Sequence, residues 1–331
     1  MATLPTEQNY PVAVATALAR YGARAAGAYA DNTMRAHRAD WGVWSRWCEE
    51  HNLAVFPCGI DQVESFLLDC IAGGRKRSTL SRYMATFRKV HEAAEVPCPL
   101  DSRDGKLMWR AILRDERLSK RQKQAVGMTW DDVQKILAHL DASVPKDARD
   151  AALVCLAYET QLRMSELVAL QWSDLSERLP DGSARVMLER SKTDQEGEGR
   201  WLYVSPHTLG WLERWRAAAE IETGPILRSC PRSNRPGRFA KALGTRDVPR
   251  IFKRLSMSSG LDVGKAVSGH SMRVGKAQDL LAADATMPEI MRAGRWKSTT
   301  MPARYTEMLE EGRGGAARLA KLQGRLSGPD D

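Results

Sequence analysis

Residues 268–281 read SGHSMRVGKAQDLL, and residues 287–305 read MPEIMRAGRWKSTTMPARY. In the first stretch His270 and Arg273 stand one helical turn apart, just after Gly269, where a helix is expected to start. Taken alone, that pair is what any surface helix could carry at its first turn. In the second stretch Trp296 precedes Tyr305, and a lone tryptophan or tyrosine is more often a packing residue than a reactive one. Working outward, TQLRMSELVALQWSDL (160–175) holds Arg163-x-x-Glu166, ordinarily a solvated ion pair. RSKT (190–193) puts Lys192 at the edge of a polar turn. What carries weight is the order within one half of a basic chain: a cation, a turn lysine, a histidine with an arginine one turn later, a tryptophan, then a tyrosine.

The segments around these residues change period in a telling way. Leu80, Met84, Phe87, Val90 and Ala94 form an apolar stripe at helical spacing, as do Met34, Trp41, Trp44 and Cys48 further upstream. Asp31, Asn32 and Thr33 offer N-caps to that upstream helix, which should end near His51. A further helix is expected over Asp61–Ala72, stopped by Gly73-Gly74. Another, around Gly105–Leu118, should bury Leu107, Ile112 and Trp109. The Trp41, Trp44 and Trp47 series is read as core and domain surface, with no catalytic role.

Residues 119–127 (SKRQKQAVG) have almost no large apolar side chain and read as a linker. Beyond them Thr129 caps a helix running to Leu140, and a helical pattern covers Arg149–Tyr158. Ala184–Glu189 and Trp201–Val204 read as strands around the turn Ser191–Gly199. The fold class expected is mainly α, with a helical N-terminal domain and a mostly helical second domain that contains a small antiparallel β-sheet. The expected domains are an arm over 1–30, flexible or a poorly specified helix, a helical domain over 31–118, the linker, and a second domain over 128–331 with a C-terminal tail helix.

The chain has 331 residues, more than one hydrophobic core usually supports, and 43% hydrophobic residues to fill two. Fifty Lys and Arg against 41 Asp and Glu leave a net charge of +9, which suits a polyanionic partner. No apolar run is long enough to span a membrane, and Met1–Tyr21 lacks the pattern of a secretory signal. The protein is therefore expected to be cytoplasmic or nucleoid-associated, with no membrane partner. Its six cysteines are scattered singly and are read as reduced thiols, not as metal ligands or disulfides.

In the four quoted stretches the sequence resembles the tyrosine recombinase and phage integrase family. The resemblance is specific from about Thr129 onward; before that it extends only to helix pattern and basic character. It implies a C-shaped DNA clamp that cleaves and rejoins strands through a 3′-phosphotyrosine intermediate and a Holliday junction. It also implies a homodimer on double-stranded DNA with inverted-repeat half-sites, and a homotetramer in synapsis held through the tail, residues 308–326.

The chemistry assigns a role to each residue. Planar, permanently charged forks suit a phosphate, so Arg163 and Arg273 are expected to clamp its oxygens. Tyr305 is the nucleophile, and as a phenol of pKa about 10 it needs cations or a base to help it ionise. His270 would take or relay its proton, and Trp296 would donate its indole N–H to a phosphate oxygen. Glu166 would hold the cations or His270 in place. As the resemblance implies, Lys192 protonates the departing 5′ oxygen. Neither a metal nor another cofactor is expected, because arginines take the charge-stabilising role.

Arg75, Arg77, Arg82 and Lys89 belong to a basic cluster expected to contact phosphates and grooves. The stretch LGTRDVPRIF (243–252) resembles a family segment that enters the major groove, which makes Arg246 the expected base-reading arginine. Two other readings remain open at this point: a catalytically idle DNA-binding regulator of the same fold, and a type IB topoisomerase or telomere resolvase with the same chemistry.

Overall fold

The computed structural model describes residues 10–25, 27–118, 124–189, 199–230, 241–261, 267–313 and 315–325, with the backbone alone at 308–313, 315, 316 and 318. It divides into two compact units, Met1–Lys123 and Gln124–Asp331.

The first unit is helical throughout its described residues. Helices α1 (Val12–Ala25), α2 (Asp31–Glu50), α3 (Ile60–Ala72), α4 (Arg77–Ala94) and α5 (Arg103–Ile112) follow one another through short turns. Helix α4 packs against α1 and α2, and α3 packs against α5. The apolar stripe of α4 is wholly buried, and so are Trp41, Trp44 and Trp47. Trp44 meets Phe66 and Phe87 edge-on, with ring centroids 5.2 Å apart in both cases. Each aromatic ring taken out of water there contributes on the order of 2 kcal/mol.

Three local expectations change in this unit. Residues 12–25 are a helix and not a loose arm, because Val14, Ala17, Leu18 and Ala25 are buried on one side of it, Val14 and Leu18 within the core. Helix α2 starts one residue earlier than its expected caps. Ala30 is the N-cap, without a side-chain bond, and Asp31 sits in the first turn, where its charge complements the exposed N–H groups. In α5 the buried residues are Gly105, Met108 and Ile112, at spacings of three and four, whereas Leu107 is 51% exposed.

The second unit is built around α7 (Pro145–Thr160), nearly every residue of which is buried. Helices α6 (Trp130–Leu137) and α9 (Pro206–Ala218) lie against it. Thr129 caps α6 in a reciprocal box with Asp132. After α8 (Met164–Ala169), strands β1 (Ala184–Leu188) and β2 (Arg200–Val204) pair antiparallel, with Ala184 opposite Val204 and Leu188 opposite Arg200. Helices α10 (Asp247–Ser258), α11 (Ser271–Ala282), α12 (Met287–Gly294), α13 (Thr300–Arg313) and α14 (Gly315–Leu322) complete the unit. The core is filled by Leu153, Leu156, Leu212, Trp215 and Phe252.

Within that core lies one charged cluster. Asp150 of α7 has no exposed surface; it accepts a 2.7 Å bond from Arg149 Nε and pairs with Arg254 of α10 and with Lys146 at 3.7 Å. Arg149 also donates to the Arg228 carbonyl at 2.8 Å. Such a cluster is tolerated inside a protein only because each charge has partners. All six cysteines are free thiols, with Cys48, Cys70 and Cys155 buried. Among the described residues no helix is long and apolar enough to cross a membrane.

Candidate active site

The site begins where α7 ends. Gln161 turns the chain in the left-handed region, φ 50° and ψ 31°, which aims its carbonyl away from the helix axis. Arg163 then adopts an extended backbone and serves as the N-cap of α8, so it precedes the helix instead of lying on it. Glu166, at the third position of α8, is buried and folds back. Its Oε1 accepts from Arg163 Nη1 at 2.6 Å and its Oε2 accepts from the Arg163 backbone N–H at 2.9 Å. Burial pushes the Glu166 carboxyl up, but the bonds from Arg163 and the charges of Arg295 and Arg163 outweigh it and leave the group below its ordinary value.

Helix α11 supplies the next two residues. His270 is its N-cap position and Arg273 lies in its first turn, buried. Arg273 donates Nη1 to the Gln161 carbonyl and Nη2 to the Gly294 carbonyl at 3.0 Å. This joins the start of α11 to the end of α7 and the end of α12. Burial, together with the neighbouring Arg295 and Arg163, pushes Arg273 down to about 10, so it remains a cation at neutral pH. The His270 imidazole is also pushed down, by burial first and then by Arg273 and Arg163, and is therefore neutral near pH 7. Its ring makes no side-chain hydrogen bond among the described residues, and Glu166 is bonded to arginines and not to it.

The last two residues arrive from α12 and α13. The indole of Trp296 lies against the backbone of Gly294, where a Cβ would come within 2.0 Å of the ring, and beneath Arg273, whose Cζ is 5.1 Å from its centroid. Tyr305 packs edge-on to Trp296 at 5.8 Å. Burial raises the Tyr305 phenol above its ordinary value, and the opposing pull of Arg273 and Arg304 does not offset it. In the free protein the tyrosine is thus protonated, and the arginine field expected to favour its ionisation is outweighed by desolvation. Arg163, Glu166, Arg273, Trp296 and Tyr305 form one connected cluster, with His270 at the start of α11 beside it.

Lys192 lies outside the described residues. Arg200, the first residue of β2, contributes its charge at Arg295. Sequence reading missed Arg295 altogether. It is 9% exposed and donates to the Thr160 carbonyl at 2.8 Å, the Gln161 carbonyl at 3.0 Å and Glu166 Oε2 at 3.2 Å. The one hint was an arginine directly after Ala-Gly at a helix end, where glycine itself is favoured.

The residues expected to contact DNA divide in two. Arg75, just before α4, and Arg77, its first residue, have no ion pair or side-chain hydrogen bond among the described residues. Arg82 is held by buried Asp40 at 2.7 Å. Lys89 pairs with Glu92 at 3.1 Å and sits 5.6 Å from the ring centroids of both Tyr21 and Tyr29. Arg246, the N-cap position of α10, is exposed.

Residues 127–311 match the Phage integrase family, and residues 24–95 match the Phage integrase, N-terminal SAM-like domain. The chain is 28% identical over 306 residues to the recombinase Cre of Escherichia phage P1, covering 88% of each. It is 31% identical over 288 residues to an integrase/recombinase XerD homologue of Selenomonas ruminantium, covering 84% of this chain and 82% of the relative. Among solved structures, a XerH site-specific recombinase bound to palindromic difH substrate in a post-cleavage complex superposes with a TM-score of 0.61 at 16% identity, over 86% of this chain and 80% of the other. A lambda integrase dimer bound to a COC′ core site gives 0.59 at 19% identity, over 88% and 76%.

Proposed function

The chain belongs to the phage integrase family and is a tyrosine-type site-specific DNA recombinase, and from that premise we propose the part each residue of the site plays. Arg163 and Arg273 hold the non-bridging oxygens of the scissile phosphate, joined by the indole N–H of Trp296. The Tyr305 oxygen attacks phosphorus while His270, its ring without a hydrogen bond among the described residues, accepts the phenolic proton. The P–O5′ bond breaks, Lys192 protonates the leaving oxygen, and a 3′-phosphotyrosine and a 5′ hydroxyl result. Attack by a partner strand's 5′ hydroxyl reverses these steps, so no external energy source is needed. The observation that carries the reading is the stack of Arg273, Trp296 and Tyr305, brought together from α11, the end of α12 and α13.

Residues 31–118 act as the DNA-binding domain, 119–127 as the linker and 128–331 as the catalytic domain. Arg75 and Arg77 are the first choices for phosphate contacts, because Arg82 and Lys89 are already engaged, and Arg246 reads a base edge. A dimer occupies inverted-repeat half-sites, and a tetramer, linked through the exposed Leu319 and Leu322 of the tail helix, forms the synapse and resolves a Holliday junction. The protein works in the cytoplasm, on nucleoid, phage or plasmid DNA.

The test begins with DNA duplexes selected from a random pool by the full-length Tyr305→Phe chain. A selected duplex, nicked beside the cleavage position so that the short strand diffuses away, is incubated with wild type and variant in chelator and resolved on a denaturing gel. A slow-migrating adduct with wild type alone is expected. Tight, sequence-specific binding by wild type with no adduct would instead make the protein a regulator that keeps the fold.

A further inference from the structure

The arginine that the mechanism leaves unused sits in an unfavourable place twice over. Arg295 closes α12 with Trp296 N–H bonded to the Met291 carbonyl at 3.0 Å, and its own φ of 55° and ψ of 44° lie in the left-handed region. Glycine adopts that conformation freely, and a residue with a Cβ is strained there. Its guanidinium is also buried, which is unfavourable for any cation without partners. Nε has no hydrogen-bond partner among the described residues, so the two terminal nitrogens make all the side-chain bonds. Those bonds go to the Thr160 and Gln161 carbonyls and to Glu166, the carboxylate that also holds Arg163.

We propose that Arg295 is a positioning residue for strand cleavage: wedged between Glu166 and the end of α7, it sets the Glu166 carboxylate against Arg163 and fixes the turn that presents Trp296. The inference rests on the recombinase reading above. Two consequences follow from the geometry. The Glu166 charge is shared between two guanidiniums, so Arg163 is only partly neutralised and retains attraction for a phosphate. The Gln161 carbonyl accepts from both Arg273 and Arg295, so the phosphate arginine Arg273 and the tryptophan turn are registered on one peptide group.

Arg295→Gly tests this well, because it removes the guanidinium while relieving the backbone. Single-turnover cleavage of the selected nicked duplex, at saturating protein, should slow about 10- to 100-fold, as expected for loss of charge-assisted bonds. Duplex affinity should change little, since many other contacts supply it. Arg295→Lys should recover part of the rate. Arg295→Gly combined with Glu166→Gln should be no slower than Glu166→Gln alone, because both act on one interaction. Cleavage by Arg295→Gly within about twofold of wild type, or losses that multiply in the double variant, would overturn the proposal. A second arm needs no DNA: in carbon-13 NMR of the free protein the Glu166 carboxyl should titrate at higher pH in Arg295→Gly than in wild type. An unchanged titration would overturn the proposal even where wild type cleaves, whereas absence of wild-type cleavage strikes at the recombinase reading instead.

Discussion

Gly275 is where the fold most directly constrains the chemistry, and Gly275→Ala should disable both. A Cβ on Gly275 would stand 1.8 Å from the Met128 carbonyl oxygen, 2.1 Å from its carbon and 2.7 Å from the Thr129 nitrogen. A carbon needs about 3.3 Å from such an oxygen, so helix and strap must separate by roughly 1.5 Å. Neither side yields easily. Met128 is fully buried and donates to the Ser271 carbonyl at 3.0 Å, and Thr129 is the cap of α6. Overpacking against backbone should cost about 3 kcal/mol, a drop of roughly 6 to 12 °C in the melting temperature of a unit this size. Arg273 lies on the same helix, and a displacement of that order breaks its 3.0 Å bond to the Gly294 carbonyl. Misplacement by about 1 Å reduces reaction rates on the order of 100-fold. Calorimetry and single-turnover cleavage measure the two effects. Gly210→Ala, on α9 with open space around it, is the control and should gain a few tenths of a kcal/mol or more. A Gly275→Ala protein that melts and cleaves like wild type would mean that α11 is not wedged against Met128.

Asp150→Ala should destabilise the second unit by about 3 kcal/mol, because it leaves buried Arg149 without its carboxylate; chemical denaturation should show an earlier midpoint, and an unchanged one would count against the cluster. For Glu166 the sign of the pH dependence follows from its carboxyl lying below the ordinary 4.5 in the folded protein. Its contribution is present above that value and is lost as pH falls through the folded value. The stability gap between wild type and Glu166→Gln in urea titrations should therefore be widest near neutrality and narrow towards acid.

How much of this could be read from sequence depended on how local each cause is. Helices α2, α3 and α4 were legible because large aromatic and aliphatic residues recur on one face and Gly73 stops α3. Helix α1 was not, since alanines give little contrast between faces and its burial comes from packing by Val14 and Leu18. In α5 the choice of Leu107 paired residues five apart, whereas the buried face runs through Gly105, Met108 and Ile112. The cluster of Arg163, Glu166, Arg273, Trp296 and Tyr305 was legible from motif order. Arg295 was not, because its partners lie 129 to 135 residues away and its role depends on a backbone angle. The pairing of Arg82 with Asp40 across 42 residues was hidden for the same reason.

Among the described residues the candidate site holds three guanidiniums, Arg163, Arg273 and Arg295, with a single carboxylate between them, and two of the three are buried. Burial first, and then the like charges of Arg295 and Arg163, lowers the proton affinity of Arg273. On the proposed reading a phosphodiester at this cluster would supply negative charge, so part of its binding free energy would be relief of a tension the polypeptide already carries. By linkage, occupancy makes the second unit harder to unfold. On that reading the protein would be more robust while engaged on its substrate than between encounters, a trade-off common where catalysis asks for a charge distribution that stability alone would not select.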